Sequence, residues 1–387
     1  MNQAELICTL APCPDLDELG LRWREAEAQA EGSFFTSWTW IGAWLAAMPA
    51  GERPPVLTIR QGGQTVALVM VGRRTQRRRG FVISRRIHLN GDGHDLHDDV
   101  TIEYNGLLAR RGFEAAAQQA LARWLTRSAP AWDELVLPGF VKGYDLLQAD
   151  LGEVRAQVRT RPVFGVDLDA VRAHSGGYLP LLKEKPRYQV RKSCKAYAKL
   201  GPVTARAADS LEDALAMFDR LQGLHQPYWQ ARGQPGAFGN DYAQAFHRHL
   251  ITTAWPRGEV QFIEIKVGER TLGVLYNFLY NGESGNYQSG IDYTLVDGSD
   301  SPGLVCHAEA VALCAAAGLR VYDFLAGEHR YKRQLSTLAG EMHWIVLQRP
   351  RLRFKLEDLA TDWVRRRRAK AAASEGSAAA PAQEAYP

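Results

Sequence analysis

The chain has 387 residues, 46% hydrophobic, 23% charged and 10% aromatic, enough for about two domains with cores of their own. That composition excludes a disordered, collagenous or membrane-bundle protein. The formal net charge is +4, and five bases against two acids from Arg365 onward hold three of those charges, so the nearly neutral body carries no strong nucleic-acid signal.

Near the N-terminus Glu5 interrupts the short apolar stretch, so no secretory leader is expected. Asp15–Ala30 reads as a helix with acids in its first turn. The uncharged run Ser33–Gly51 approaches a membrane span in length, but it carries Ser33, Thr36, Ser37 and Thr39 and ends at Pro49. It predicts an amphipathic helix capped by Thr36 or Ser37, and no transmembrane segment. Val56–Arg60 and Val66–Val71 read as strands around Gln61-Gly62-Gly63. Eight arginines and no acid lie between Arg60 and Arg86, and five acids and no base between Asp92 and Glu103. Such blocks are expected as neighbouring solvated faces of one sheet. Phe113–Arg127 is a helix, Glu134–Leu137 a short buried strand, and Arg155–Leu168 extended chain.

The second half opens with a basic helix, Arg187–Leu200, ended by Gly201, then the helices Leu211–Trp229 and Tyr242–Trp255. Strands follow at Val260–Val267, Leu272–Tyr280 and Gly285–Ile291, the last two joined by an Asn281-Gly282 turn. Helix Pro302–Ala317, strand Val321–Leu325, a short helix at His329–Leu338 and strand Met342–Leu347 complete the order. From about Ala369 the composition predicts a disordered tail. The fold class is α/β with mixed sheets, divided as 1–168, 169–364 and a basic tail, 365–387.

Five scattered cysteines without CxxC spacing fit reduced thiols of a cytoplasmic protein. His94-Asp95-Leu96-His97-Asp98-Asp99 falls in a loop and has no partner Cys/His pair, so no metal is expected. Asp300-Ser301-Pro302-Gly303 is more informative. Ser301 suits an N-cap and Pro302 the first helical position, while Gly303 bares backbone amides that can hold a pyrophosphate. His225, Trp229 and Arg232 share one helix face if the helix continues past Pro227, and suit a sugar-like or carboxylate-bearing acceptor. Asp323, inside an apolar strand, reads as a buried structural acid.

Strand–loop–helix–strand around Ser301–Gly303 resembles the GNAT acyltransferase superfamily. More closely, the chain resembles the CelD/BcsL-like acyltransferases of exopolysaccharide and cellulose loci, relatives of the Fem-type aminoacyltransferases with two GNAT-like domains in tandem. The residues that carry this are Phe34–Trp44, Arg187–Gly201, His225 with Tyr228–Gly233, Tyr287–Asp292, Ser301–Gly303, Tyr322–Glu328 and Tyr331-Lys332. The resemblance implies two tandem GNAT-like domains and acyl transfer from acyl-CoA, acetyl-CoA included, to an amine or sugar hydroxyl in polysaccharide or cell-envelope precursor synthesis. The acceptor is a small molecule or sugar, or a lipid- or nucleotide-linked precursor. In that reading Glu328 serves as base and Tyr331 protonates the departing thiolate. Ser301, Pro302, Gly303 and Lys332 hold donor phosphate; His225, Trp229, Arg232 and Asp292 hold acceptor. The Gln/Arg-x-x-Gly-x-Gly/Ala signature is absent at the helix start. Two alternatives stand beside this reading. In one, the basic helix holds aminoacyl-tRNA as donor; in the other, Phe34–Trp44 docks synthase subunits on a non-catalytic scaffold.

Overall fold

The computed structural model describes residues 5–141, 150–295 and 301–374, with side chains described up to 367. Two units of matching topology share one sheet. In the first, β1 (Ile7–Ala11), β2 (Val56–Gln61), β3 (Gln64–Arg78) and β4 (Val82–Leu89) run antiparallel in sequence order, with α1 (Leu16–Ala28) and α2 (Trp38–Ala46) between the first two strands. β5 (Leu108–Ala109) pairs with β3, and α3 (Glu114–Arg127) crosses over to β6 (Glu134–Val141), parallel to β4.

Next in the chain come β7 (Arg155–Asp167), α4 (Leu168–Ala173) and α5 (Glu184–Ala198). The second unit then repeats the first. β8 (Val203–Ala207) precedes α6 (Leu211–Gln230) and α7 (Asp241–Ala254); β9 (Val260–Val267), β10 (Arg270–Tyr280) and β11 (Glu283–Ile291) extend an antiparallel meander from β8. α8 (Pro302–Ala316) crosses to β12 (Val321–Ala326), parallel to β11, and α9 (Arg330–Leu335), β13 (Leu338–Gln348) and α10 (Leu352–Ser374) follow.

The strand after each crossover changes units. β7 leaves β6 and pairs with β12, whereas β13 leaves β12 and pairs with β6; the two meet antiparallel over eleven residue pairs at the centre. The sheet therefore runs β1-β2-β3-β4-β6-β13-β7-β12-β11-β10-β9-β8. The expected division at 168/169 falls at the end of β7.

The chemistry of the first half differs from expectation in three places. α2 is buried on every side from Trp38 to Leu45 rather than amphipathic; Ser37 caps it, while Thr36 closes a capping box with Ser33 on the preceding turn. Its rings pack across the units: Phe34 stacks on Phe278 of β10 at 4.1 Å, and Trp40 meets Phe246 of α7 at 5.0 Å. Phe34–Trp44 is thus mostly internal core, with Trp38, Thr39, Gly42 and Ala43 lining a cleft between α1 and α7. The arginine block and the acidic block do not neutralise each other. Arg78 and Arg86 pair with buried Glu134, Arg85 with buried Asp133, because β6 begins beside their strands. The acidic segment folds into the loop expected at His94–Asp99 rather than a face of the sheet. Asp98 accepts the Asp92 and Gly93 amides at 3.1 and 2.9 Å, and Asp92 bonds the His97 ring at 2.7 Å.

Two further differences concern helices. α6 runs through Pro227 to Gln230, since the carbonyl that loses its partner belongs to exposed Gly223 and remains open to solvent. α10 continues to Ser374, beyond the point where composition predicts disorder; the tail after it, and Asp300, lie outside the described residues.

Candidate active site at the parting of two strands

β11 and β12 pair through only Glu283–Gly285 and Val321–Asp323. Beyond Gly285, β11 follows β10, while β12 breaks its register with β7 after Asp323. α6 closes on β11 at Gly290, where a Cβ would lie 2.5 Å from the Leu221 carbonyl oxygen. α8 spans the opening. Cys306 lies against Gly273 of β10, and the His307 Nδ1 is 3.2 Å from the Tyr322 hydroxyl of β12.

Among the described residues no side chain caps the tip of α8 and a Cβ built on Gly303 would meet nothing within 4 Å; the first turn holds no acid. Ser301 is exposed, and its N–H donates to Ser193 Oγ of α5 at 3.1 Å. α5 thus lies beside the tip, exposing Lys185, Arg191, Lys195 and Lys199. The Gly303 amide and the helix dipole suit a phosphate-bearing group, so the residues present fit a phosphate of an acyl donor.

Beneath the opening, the carboxyl end of β12 is kinked. Leu325 adopts φ +59, a left-handed conformation strained for a branched side chain. Four bonds hold it. The Leu325 N–H donates to Asp323 Oδ1 at 2.7 Å, and the Ala326 N–H to Glu103 Oε2 at 2.8 Å. Lys332 Nζ donates to the Leu325 and Ala326 carbonyls at 3.3 and 2.7 Å. The Tyr104 hydroxyl donates to Asp323 Oδ2. Burial pushes Glu103 up to about 7 against the pull of the Ala326 amide and Lys332, and pushes Asp323 up to about 6. Burial lowers Lys332, opposed by the same two carboxylates.

Aromatic rings wall the opening. Tyr228 stacks on Tyr293 at 4.7 Å, and the Arg232 guanidinium sits 3.5 Å over Tyr228 while donating to its carbonyl at 2.8 Å. Tyr331 lies flat on His307 at 4.9 Å. Burial and the neighbouring Tyr293 raise the Tyr331 phenol, which keeps its proton. Burial lowers His307 to about 3, so its imidazole is neutral.

The ten residues expected to form the site separate accordingly. Ser301, Pro302 and Gly303 form the tip; Tyr331, Trp229 and Arg232 belong to the wall, and Glu328 is exposed at the end of β12, where its charge reaches Arg161. Three have other duties. Lys332 is 7% exposed and its ammonium faces the two carbonyls, not a donor phosphate. His225 is buried, its Nδ1 3.1 Å from the Ser289 carbonyl while Nε2 accepts the Ala237 N–H at 3.2 Å, so it ties α6 to β11 and a loop instead of facing an acceptor. Asp292 accepts the Thr294 amide and hydroxyl at 2.8 and 2.6 Å, which shapes the loop after β11. Sequence reasoning missed Tyr293, Glu103 and Tyr104. Tyr293 stands two residues past β11, while Glu103 closes the acidic block and Tyr104 follows it, with nothing in the sequence to show that they reach β12.

Among the described residues no group of His, Cys, Asp and Glu side chains could hold a metal ion, and no helix is long and apolar enough to cross a membrane. A family model described as "Acetyltransferase (GNAT) domain" matches residues 184–333. That span runs from α5 to α9 and contains the tip, the kink and the wall. No curated protein matches the chain. Among solved structures, FemX superposes with TM-score 0.53 at 11% identity, over 92% of this chain and 99% of that one. The C-terminal domain of a putative lysylphosphatidylglycerol synthetase from Agrobacterium fabrum does so with TM-score 0.52 at 11% identity, over 89% and 96%. The fold is a GNAT-like acyltransferase fold, with the meander, crossover helix and parallel fifth strand present twice.

Proposed function

We propose that the chain transfers an acyl group from acyl-CoA to an amine or sugar hydroxyl, in polysaccharide or cell-envelope precursor synthesis, as a CelD/BcsL-like enzyme. The observation that carries this is the α8 tip at the parting of β11 and β12, with no acid in its first turn and, among the described residues, no cap and no neighbour at Gly303. The thioester supplies an activated acyl carbon. The Gly303 N–H and the positive end of the α8 dipole bind the donor's phosphates; Pro302 has no N–H and the Ser301 N–H is held by Ser193. The wall of Tyr228, Trp229, Arg232 and Tyr293 holds the acceptor by ring faces and one guanidinium. Glu328 takes the acceptor's proton, and the Tyr331 hydroxyl, kept protonated, supplies one to the leaving sulfur. Lys332 and Glu103 act through the backbone, fixing the kink from which Gly327 and Glu328 emerge.

Free-thiol release from acyl-CoA over a panel of amines and amino sugars tests this. Release that requires both acceptor and Tyr331 is expected; no release together with no CoA binding at millimolar concentration refutes the donor. The exposed cations of α5 favour one second reading, aminoacyl-tRNA as donor. Charged tRNA bound with a steep salt dependence, and CoA not bound, selects it.

A further inference from the structure

The last helix carries an apolar stripe on the side that faces away from the protein. Leu352, Leu356, Leu359 and Trp363 recur at i, i+4, i+7 and i+11 and are 79%, 66%, 67% and 58% exposed. The opposite side holds α10 to the body. Phe354 and Glu357 are buried, Glu357 bonding Arg78 Nε at 3.0 Å and Arg79 Nε at 3.4 Å. Arg353 reaches Asp133 at 2.6 Å and Asp358 meets Arg155 at 2.9 Å. A helix fastened by buried ion pairs, yet showing solvent four large apolar side chains, is an amphipathic helix whose second apolar partner is external.

The charges that border the stripe identify that partner. Lys355, Arg366 and Arg367 flank it and are exposed, with the Arg367 guanidinium 4.6 Å over the Trp363 ring. The nearest acids, Asp358 and Asp362, lie a further step round the helix, facing Arg155 and Arg365. The apolar surface extends onto the turn between β3 and β4, where Phe81 is 66% exposed and shares a cleft with Ala360 and Val364. Arg74, on the face of β3 that Arg78 presents to α10, is exposed as well. A second copy related by a twofold axis would set these bases against their own kind. An anionic lipid surface matches both parts: acyl chains for the Leu/Trp stripe, headgroup phosphates for the bases. We propose that α10 and the β3–β4 turn form a docking face for an anionic lipid bilayer, lying in its interface without crossing it. This stands independently of the acyl-transfer reading.

Vesicle co-sedimentation of the full chain tests the assignment, using phosphatidylcholine alone and an equimolar mixture with phosphatidylglycerol. Binding to the mixed vesicles is expected to exceed binding to neutral ones by at least about tenfold and to fall with salt. The double variant Leu359→Ser/Trp363→Ser, and separately Arg366→Glu/Arg367→Glu, each lower binding to mixed vesicles by about tenfold or more, with the thermal midpoint unchanged. Because the two variants remove different chemistry, loss of fold in one leaves the other decisive. A chain that stays in the supernatant with both vesicles overturns the proposal, as do variants that bind like wild type. If the stripe instead supports a concentration-dependent dimer that Leu359→Ser/Trp363→Ser abolishes, with no vesicle binding, the partner is a second copy and the proposal is wrong.

Discussion

Lys332→Met separates the two roles open to this side chain. At the surface, a cation that touches a phosphate only when donor binds contributes about 0–1 kcal/mol to stability, and its loss weakens donor affinity alone. The structure places the ammonium at 7% exposure on the Leu325 and Ala326 carbonyls, beside Glu103 and Asp323. Removing one member of a buried ionic cluster costs about 3–5 kcal/mol, because the remaining charges lose their counterpart. The cost must depend on pH. Glu103 and Asp323 sit at about 7 and about 6, against ordinary values of 4.5 and 3.8. Between those limits the native state binds more protons than the unfolded chain, so stability falls as pH rises through the window. Without Lys332 both carboxyls rise further and the fall steepens. Urea denaturation is therefore expected to show a loss of about 3–5 kcal/mol near pH 8. Near pH 5, where both carboxyls are neutral, the loss reduces to the two carbonyl bonds, about 2 kcal/mol. Glu103→Gln should flatten the wild-type slope, since the amide still accepts the Ala326 N–H and does not titrate. A Lys332→Met protein within about 1 kcal/mol of wild type at both pH values, with weakened donor binding, refutes the reasoning and returns Lys332 to the phosphates.

Two further outcomes follow from the open tip and the stacked phenol. Gly303→Asp meets no neighbour within 4 Å and puts an acid at a helix N-terminus, so the thermal midpoint should hold or rise slightly while affinity for CoA, by isothermal calorimetry, falls at least about tenfold. Tyr331→Phe keeps the ring on His307 and removes only the hydroxyl, so kcat should fall about 100-fold with donor Kd and stability unchanged; a normal kcat excludes Tyr331 as the proton donor.

What the sequence disclosed was local. The Asn281-Gly282 turn located β10 and β11, and Ser301-Pro302-Gly303 located the start of α8, because turn and cap chemistry act over a few residues. β4 escaped notice because Ser84-Arg85-Arg86 breaks its apolar run; Arg86 and Ser84 are held by Glu134, roughly fifty residues away. α10 escaped because its apolar stripe faces solvent rather than a core. Nor could the kink at Leu325 be read. Its supports come from Glu103 and Lys332, and the bond from Ala326 to Glu103 joins residues 223 apart. Lys332 and His225 were assigned to ligands because an isolated cation or imidazole beside a motif carries no mark of burial. The structure supplies carbonyl and amide partners within the protein.

The duplicated topology also allows the two crossover helices to be compared. α3 is the counterpart of α8, and β4 with β6 repeats the short parallel pairing of β11 with β12. Yet α3 begins with Glu114, which already answers the helix dipole and repels a phosphate, whereas the first turn of α8 holds no acid. At the start of the first unit's parallel pair, away from the end that corresponds to the parting, Glu134 binds Arg78, Arg86, Ser84 and Gln348. The loop after β4 has a different task, carrying Glu103 and Tyr104 to the kink of β12 in the other unit. The kinked strand of the second unit thus rests on residues of the first, and the exchange of β7 and β13 keeps the two in register. A separated second unit would keep the tip but lose the carboxylate on the Ala326 amide and the phenol on Asp323, leaving a strained turn to be held by Lys332 and Asp323 alone.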